Sequence, residues 1–403
     1  MTGRPLHALL LPAAPADRML DALASALDGT GPAILPLDPR LPRARVAALL
    51  EAFGPAAVET PDGTRRWRRP GTAGTGRGGA SVGVPAEVAV VIATSGSTGE
   101  PKGAQLAAGA LLRSARASLD RIGARAGERW LCPLPTSHVA GLGILVRSLV
   151  SGTTPVVAQP LPDDADLAAF GCAYTSLVPT QLRRLLAAGA DLSWFATILL
   201  GGAAAPRGLL DAARAAGARV VTTYGMSETC GGCVYDGVPL TGVSARTGAA
   251  GRIEITGPVL FSGYRLRPDL TGQAMTDGWF ITSDVGVVDA AGCLAVYGRA
   301  DEMINTGGEK VAPGEVAAAL ELHPGVLEAV VIGQPDPEWG ERVTAVVVPT
   351  DPAHPPTLPE LQAALGQRLP HYAVPRALVL VAEVPLLASG KPDLAALRGL
   401  SQG

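Results

Sequence analysis

A polar stretch rich in glycine and hydroxyl side chains occupies residues 94–103, TSGSTGEPKG, directly after the apolar run AEVAVVIAT. Glycines let a backbone approach phosphate oxygens closely, and the N–H groups of such turns bind anions. The stretch is not a Walker A loop, because Pro101 precedes Lys102 and Gly103 follows it, where that motif requires Gly-Lys-Ser/Thr. A polar turn without function is the alternative interpretation. The pattern favours a phosphate-binding loop built from Thr94, Ser95, Gly96, Ser97, Thr98, Gly99 and Lys102.

The full ten-residue match resembles the phosphate loop of the adenylate-forming superfamily, which includes acyl- and aryl-CoA ligases, peptide-synthetase adenylation domains and luciferases. Other signatures of that superfamily follow in the same order, and the similarity runs from about residue 85 to the end. They are GGAAAP at 201–206, TYGMSET at 223–229, TSD at 282–284 and ASGK at 388–391. The resemblance implies an enzyme that activates a small-molecule carboxylic acid with ATP and Mg²⁺ and passes it to coenzyme A.

The resemblance also implies how the nucleotide is bound. Tyr224 would stack on adenine, and Asp284 would accept hydrogen bonds from the ribose hydroxyls, as a carboxylate can from a cis-diol. Glu228 would hold Mg²⁺, and one carboxylate suffices because this cation keeps several waters when it binds phosphates. Ser283 stands where the family usually has glycine. The further nucleotide contacts implied are Gly202, Ala203, Gly225, Thr229 and Arg299.

The C-terminal part of the chain carries the lysine that the family uses in catalysis. By resemblance this is Lys391, whose ammonium would stabilise the negative charge that develops when a carboxylate attacks the α-phosphate. Asp301 occupies the hinge position, and Gly307 and Gly308 follow it. In related enzymes the C-terminal domain rotates after adenylation and replaces the lysine with this glycine-rich face, which shapes the tunnel for the thiol. We therefore expect one site to serve two steps.

The acid pocket is implied by PTSHVAG at 135–141 and by the helix that follows it. The resemblance gives His138, Gly201 and Gly225 roles at this pocket, although a lone histidine is more often structural. Arg147 lies in the apolar run LGILVRSLV and must find a partner, because a buried charge needs one. A second carboxylate on the substrate would serve, since arginine binds carboxylates through two parallel hydrogen bonds. Snorkelling or an internal salt bridge is the alternative.

Three segments narrow the resemblance to the o-succinylbenzoate–CoA ligases of menaquinone biosynthesis, whose substrate is a dicarboxylate. They are LPTSHVAGLGILVRSLV, CAYTSLVPTQLRRLL and YGMSETCGGCVYDGVPL. Cys230 and Cys233 lie in the last segment, but a zinc or redox role would need a second ligand pair or a thioredoxin-like context. We therefore assign them to packing. The alternatives for the whole chain are another acyl- or aryl-CoA ligase, an adenylation enzyme that loads a carrier protein, or a binding protein without activity.

Alternating strands and helices must position these residues. Apolar runs predict strands over 86–94, 130–135, 154–160 and 196–202, with helices around 105–120, 139–150, 179–189 and 206–216. Because Gly141 and Gly143 interrupt the second helix, we expect it to begin after them. The pattern predicts an α/β fold whose N-terminal domain, residues 1–300, contains parallel sheets and a small barrel-like β subdomain. A small, mobile α+β domain follows at 301–403.

Composition limits the function classes. The 403-residue chain has 33 basic and 36 acidic residues and a net charge of −3, so nothing suggests a nucleic-acid or membrane-surface partner. No apolar run reaches the roughly 18 residues of a membrane span, and five cysteines argue against a disulfide framework. We expect a cytoplasmic enzyme. The sequence leaves open whether it forms a homodimer.

Overall fold

A computed structural model describes residues 3–12, 16–67, 82–95, 100–386 and 392–400. These residues form four β-sheets and ten α-helices. The helices are α1 Asp17–Asp28, α2 Arg43–Phe53, α3 Ala108–Ile122, α4 Val139–Val150, α5 Pro179–Ala187, α6 Arg207–Ala215, α7 Pro268–Ala274, α8 Pro313–Leu320, α9 Leu358–Leu365 and α10 Leu394–Leu400. In this described part of the chain, no helix has the length and apolar character that a bilayer crossing requires.

The first sheet has parallel strands at its centre and antiparallel strands at its edges. Its described strands are β1 Leu6–Leu9, β2 Ala33–Pro36, β3 Ala57–Thr60, β4 Gly63–Arg66, β5 Val88–Ser95, β6 Pro101–Ala107 and β16 Gly263–Tyr264, in the order β16-β6-β5-β2-β1-β3-β4. Strands β5 and β6 pair antiparallel and flank the phosphate loop, so that Thr94 lies opposite Lys102. The two strands that flank the loop are therefore neighbours in the same sheet.

The second sheet is parallel from β8 to β11. Its described strands are β7 Trp130–Cys132, β8 Val156–Val157, β9 Tyr174–Leu177, β10 Thr197–Leu200, β11 Val220–Met226, β12 Gly231–Tyr235 and β13 Val238–Pro239, in the order β13-β12-β11-β10-β9-β7-β8. Helices α3 and α4 lie between the two large sheets. Leu111 and Leu145 pack in the core of the first sheet, and Leu119 and Ile144 pack in the core of the second.

Two smaller sheets follow along the chain. The third is antiparallel and contains β14 Ser244–Thr247, β15 Arg252–Thr256, β17 Met275–Thr276, β18 Trp279–Val288 and β19 Leu294–Arg299. The fourth contains β20 Ile304–Thr306, β21 Glu309–Val311, β22 Val326–Asp336, β23 Gly340–Pro349 and β24 Ala377–Leu380. With α8 and α9 the fourth sheet has its own apolar core, the mark of a separate small domain. This confirms the predicted fold class, whereas the boundary at residue 300 stays a prediction.

Polar contacts join the small domain to α5 and α6 of the large one. The Arg183 guanidinium pairs with the Glu328 carboxylate at 3.1 Å. Glu321 accepts hydrogen bonds from the N–H of Arg207, the first residue of α6, at 3.1 Å and from the N–H of Ala329 at 3.2 Å. Burial raises the pKa of Glu321. The small domain therefore holds the N-terminus of α6, directly after the loop at 201–206.

Two predictions about local structure were wrong. Residues 105–107 belong to β6 rather than to a helix, because Leu106 is fully buried and pairs with Val90 in the first sheet. Helix α4 begins at Val139 and includes both glycines. A β-carbon on Gly141 would lie 2.3 Å from the carbonyl oxygen of Pro135, so the glycine lets the helix pack directly on the preceding loop.

Candidate active site

The carboxyl ends of β9, β10 and β11 bring most of the predicted site together. Parallel strands end at the same edge of a sheet, where α/β proteins bind ligands. Gly201 follows β10, and Tyr224 and Gly225 lie near the end of β11. A β-carbon on Gly201 would lie 2.2 Å from the hydroxyl oxygen of Thr223, so only glycine fits between these strand ends. Gly202 and Ala203 continue the loop toward α6.

Tyr224 and Asp284 form the first polar pair of the site. The Tyr224 hydroxyl donates to Oδ2 of Asp284 at 2.7 Å and links the second sheet to the third. Burial and the neighbouring Asp284 charge raise the pKa of Tyr224, so the phenol stays a donor. The hydroxyl of Thr282 accepts a hydrogen bond from the Asp284 N–H at 3.1 Å. The predicted adenine and ribose ligands are thus in direct contact.

Arg299 lies opposite Asp284 in the register of β18 and β19. Its guanidinium pairs with the hinge residue Asp301 at 2.8 Å and 3.2 Å. This pairing lowers the pKa of Asp301 and raises the pKa of Arg299. Arg299 therefore stands between the predicted ribose ligand and the hinge.

Glu228 lies in a short 3-10 turn, Ser227–Thr229, directly after β11. The Tyr264 hydroxyl donates to its Oε1 at 2.7 Å. Thr229 is buried, and its hydroxyl accepts from the Met226 N–H at 2.9 Å and donates to the carbonyl oxygen of Gly231 at 2.7 Å. The Thr229 side chain thus stabilises the turn. The Glu228 carboxylate is the charged group that this turn presents.

The phosphate loop is described only at its two ends. Thr94 donates from its hydroxyl to the carbonyl oxygen of Lys102 at 3.3 Å, and the Lys102 ammonium lies 5.5 Å from the centre of the Tyr264 ring. Gly96, Ser97, Thr98 and Gly99 lie outside the described residues, and so does Lys391. Ser95 ends β5. The described ends of the loop therefore lie on β5 and β6, and the Lys102 end lies near Tyr264.

Arg147, which the sequence predicts for the acid pocket, is buried between α4 and the second sheet. Its guanidinium lies 4.4 Å from the centre of the Trp130 ring and donates to the hydroxyl of Ser176 at 3.0 Å. Its Nε has no hydrogen-bond partner among the described residues, and no carboxylate in this part of the chain pairs with it. Burial lowers its pKa. The described residues therefore support neither snorkelling nor an internal salt bridge.

His138 is exposed at the N-cap of α4 and lies nine residues before Arg147. At 1.5 Å per residue the two are about 13 Å apart along the helix axis. The sheet residue Ser176, rather than His138, accompanies the guanidinium. His138 is thus placed at the opposite end of the helix.

Gly307 and Gly308 form the turn between β20 and β21 in the small domain. Both have positive φ angles of 59° and 85°, a conformation that glycine adopts without strain. Gly307 donates its N–H to the carbonyl oxygen of Trp339 at 2.8 Å. The turn is therefore held by its own domain.

Comparisons with known proteins identify the family. A family model described as "AMP-binding enzyme" matches residues 22–260, and a second, "AMP-binding enzyme C-terminal domain", matches 315–391. A probable 2-succinylbenzoate–CoA ligase of Mycobacterium tuberculosis is 47% identical over 77% of this chain and 84% of its own length. The chain belongs to the AMP-binding enzyme family.

Two further comparisons show the range of this family. A feruloyl-CoA synthase of Amycolatopsis is 36% identical over 76% of this chain and 68% of its own length. The o-succinylbenzoate–CoA synthetase of Bacillus subtilis, solved in complex with its acyl-adenylate intermediate, is 27% identical with a TM-score of 0.74, covering 99% of this chain and 89% of that one. The predicted resemblance and α/β fold class are confirmed. The chain is thus related to AMP-forming acid–thiol ligases.

The cysteines of this AMP-binding enzyme agree with a packing role. Cys230 and Cys233 are both buried, and burial raises the pKa of both thiols, that of Cys233 to about 12. Among the described residues, no group of three or more histidine, cysteine or acidic side chains could hold a metal ion. A zinc site at the C-x-x-C pair therefore has no support in this part of the chain.

Sequence reasoning missed Ser176 and Tyr264, which contact two of the predicted residues. Ser176 lies within the quoted segment CAYTSLVPT, but nothing in that run indicates that its hydroxyl faces an arginine. Tyr264 lies 36 positions after Glu228. The pairing of β16 with β6 and the hydrogen bond from the Phe261 N–H to the Glu228 carbonyl oxygen bring them together, and no local spacing rule reports such a contact.

Proposed function

We propose that this protein is an ATP-dependent acid–CoA ligase that converts 2-succinylbenzoate to 2-succinylbenzoyl-CoA, a step of menaquinone biosynthesis. The observation that carries the choice of acid is Arg147, a buried guanidinium that lacks a carboxylate partner among the described residues. A buried charge is costly unless it is paired, and a substrate with a second carboxylate would pair it. Feruloyl-CoA synthase, a relative of different substrate, shows that the family name alone does not select the acid.

In the first step, one carboxylate oxygen of the acid attacks the α-phosphorus of ATP. A P–O bond forms to the acid, the bond to the pyrophosphate oxygen breaks, and acyl-AMP and pyrophosphate result. The loop at 94–103 would bind the pyrophosphate end, and Tyr224 with Asp284 would hold adenosine. Lys391 would stabilise the charge on the transferring phosphoryl group.

The residues present fit a magnesium ion. Mg²⁺ binds phosphate oxygens, waters and one or two carboxylates. Oε1 of Glu228 accepts a hydrogen bond from Tyr264, and among the described residues none bonds to Oε2, which could bind a cation. When bound, Mg²⁺ would neutralise charge on the phosphates.

In the second step, the thiolate of coenzyme A attacks the acyl carbon of the adenylate. A C–S bond forms, the C–O bond to phosphate breaks, and AMP leaves with its electron pair. We infer that the small domain reorients between the steps, withdraws Lys391 and brings Gly307 and Gly308 to the tunnel for the thiol. An adenylation enzyme that serves a carrier protein would share the first step and pass the acyl group to a thiol of that protein instead of coenzyme A.

A panel of acids tests this proposal. The purified protein is incubated with ATP, Mg²⁺ and each of 2-succinylbenzoate, benzoate and ferulate, with and without coenzyme A, and AMP and thioester are measured by chromatography. We expect thioester formation to be fastest with 2-succinylbenzoate. A faster reaction with ferulate would contradict the acid that we propose, and adenylate formation without any thioester would contradict coenzyme A as acceptor.

Lys391→Ala tests the use of one site for two steps. We expect adenylate formation to fall by a factor of about 100 to 1,000, as expected when one charge-stabilising donor is removed. Transfer from chemically prepared acyl-AMP to coenzyme A should change much less. An equal loss in both half-reactions, measured separately, would contradict the alternation of domains.

A further inference from the structure

The segment 261–265 is hydrogen-bonded to both halves of the phosphate site. Ser262 donates its N–H to the carbonyl oxygen of Gln105 at 2.8 Å, and Arg265 donates to that of Gly103 at 2.8 Å, so the segment follows the strand that leaves the phosphate loop. Phe261 donates to the carbonyl oxygen of Glu228 at 2.8 Å. The segment thus joins the β6 strand that carries Lys102 to the turn that carries Glu228.

Tyr264 repeats this connection with its side chain. Its hydroxyl donates to Oε1 of Glu228 at 2.7 Å, while its ring lies 5.5 Å from the Lys102 ammonium. Phe261 packs edge-on against the ring, with 4.9 Å between centroids. Burial and the Glu228 charge raise the pKa of Tyr264.

The backbone around Tyr264 has little freedom. The Tyr264 N–H donates to the Thr271 hydroxyl at 2.8 Å, and a β-carbon on Gly263 would lie 2.8 Å from the same threonine. Arg265 is buried and donates to the carbonyl oxygens of Phe53 at 2.6 Å and Gly83 at 3.3 Å. The ring is therefore placed by contacts on both sides along the chain.

We propose that Tyr264 is a positioning residue, which fixes the Glu228 carboxylate so that Oε2 faces the metal–phosphate group and sets its separation from Lys102. This rests on the proposed function, because Glu228 serves Mg²⁺ only if the protein binds MgATP. A carboxylate that turns freely must be ordered whenever the cation binds, and a hydrogen bond made beforehand removes part of that cost. The hydroxyl should therefore act on metal-dependent binding and leave binding of adenosine unchanged.

Tyr264→Phe tests the proposal, because it removes only the hydroxyl and keeps the ring. We expect the affinity for ATP in the presence of Mg²⁺, measured by calorimetry, to fall about tenfold, the usual scale for a hydrogen bond to a charged group. The Mg²⁺ concentration for half-maximal adenylate formation should rise by a similar factor, and saturating Mg²⁺ should restore most of kcat. Binding of AMP without metal should not change.

Tyr174→Phe is the matched control. Tyr174 begins β9, at the end of the strand away from the site, and its hydroxyl also donates to a carboxylate, that of Glu128. Its loss should leave the Mg²⁺ requirement unchanged. Phe261→Leu provides a second variant that keeps the hydroxyl but loosens the ring, and we expect a smaller rise in the same requirement.

Two results would overturn the role of Tyr264. One is an unchanged Mg²⁺ requirement in both Tyr264→Phe and Phe261→Leu. The other is a loss of metal-free AMP binding in Tyr264→Phe as large as its loss of MgATP binding, which would indicate packing alone. A wild-type protein that binds no MgATP would instead refute the proposed function, so the two failures are distinguishable.

Discussion

The residues predicted for the nucleotide side of the site and for its acid side differ in how their charges are paired. On the nucleotide side, the Asp284 and Glu228 carboxylates each accept a hydrogen bond from a tyrosine hydroxyl at 2.7 Å. On the acid side, Arg147 is buried with a serine hydroxyl and an aromatic ring as its neighbours. The two side-chain carboxylates are thus oriented in the free protein, whereas the Arg147 guanidinium has no opposite charge beside it among the described residues.

This difference teaches where selectivity can arise. The oriented carboxylates of Asp284 and Glu228 would bind ribose hydroxyls or a metal ion in the same way whichever acid is present. A buried guanidinium without a carboxylate partner raises the free energy of the protein before substrate binds. A ligand whose carboxylate pairs with it removes this cost and therefore binds more tightly than an uncharged ligand. We therefore expect substitutions on the acid side to separate substrates, and those on the nucleotide side to affect all substrates alike.

Arg147→Met should give the largest effect, because it removes the charge and keeps an apolar side chain of similar length. We expect kcat/KM for 2-succinylbenzoate to fall on the order of 100-fold or more, which corresponds to the loss of a buried charge pair. The value for benzoate should change only a few-fold. Measurement of both acids at saturating ATP checks this contrast.

The stability of the free protein sharpens the same prediction. Replacement of a partly unpaired buried charge by an apolar group is often neutral or stabilising, so the Tm of Arg147→Met should not fall. Arg265→Met is the matched control, because that buried guanidinium is bonded to several carbonyl oxygens and its loss should lower Tm. If both acids lose activity equally and Tm falls, Arg147 is structural and the comparison fails.

Tyr224→Phe should have a smaller effect on the nucleotide side. The ring for adenine remains, but the Asp284 carboxylate loses the hydrogen bond that orients it. We expect the KM for ATP to rise about tenfold, as for other hydrogen bonds to charged groups. The rise should be equal with 2-succinylbenzoate and benzoate. A rise confined to one acid would show that the two sides are not independent.

Ser176→Ala should have the smallest effect. It removes the 3.0 Å hydrogen bond to Arg147 but leaves the charge in place. We expect a loss of about 1 kcal/mol, or roughly fivefold in kcat/KM for 2-succinylbenzoate, which is the usual net contribution of one hydrogen bond. Thr175→Val, on the same strand, serves as a control with a buried hydroxyl that bonds to a carbonyl oxygen at 3.1 Å. The same loss in the control would contradict a role for Ser176 through Arg147.

The sequence predicts most helices and the order of the sheets because apolar periodicity is a local signal. Helices α5 and α6 begin within one residue of expectation, since Pro179 and Pro206 mark their starts. Strand β6 escaped prediction because residues 104–107 are apolar enough for either structure, and the neighbouring strands decide between them. Local sequence patterns therefore predict the helices and the parallel strands better than the antiparallel strands at the sheet edges.

The candidate site divides in the same way. Glu228, Asp284 and Lys102 are found by motif, because each lies in a short run with a characteristic order. Their partners Tyr264 and Tyr224 become visible as hydrogen-bond donors only in three dimensions, through contacts that span 36 and 60 positions. The charge of Arg147 is evident from sequence, but only the structure shows that no described carboxylate pairs with it.

The hydrogen bond from the Arg207 N–H to Glu321 connects the small domain to α6 and so to the loop at 201–206 that precedes this helix. A rotation of that domain would strip a half-buried carboxylate from the first turn of α6 and at the same time part Arg183 from Glu328. Since both bonds would have to break together, the domain would switch between discrete orientations rather than drift. Release of the nucleotide and rotation of the small domain would then be coupled events.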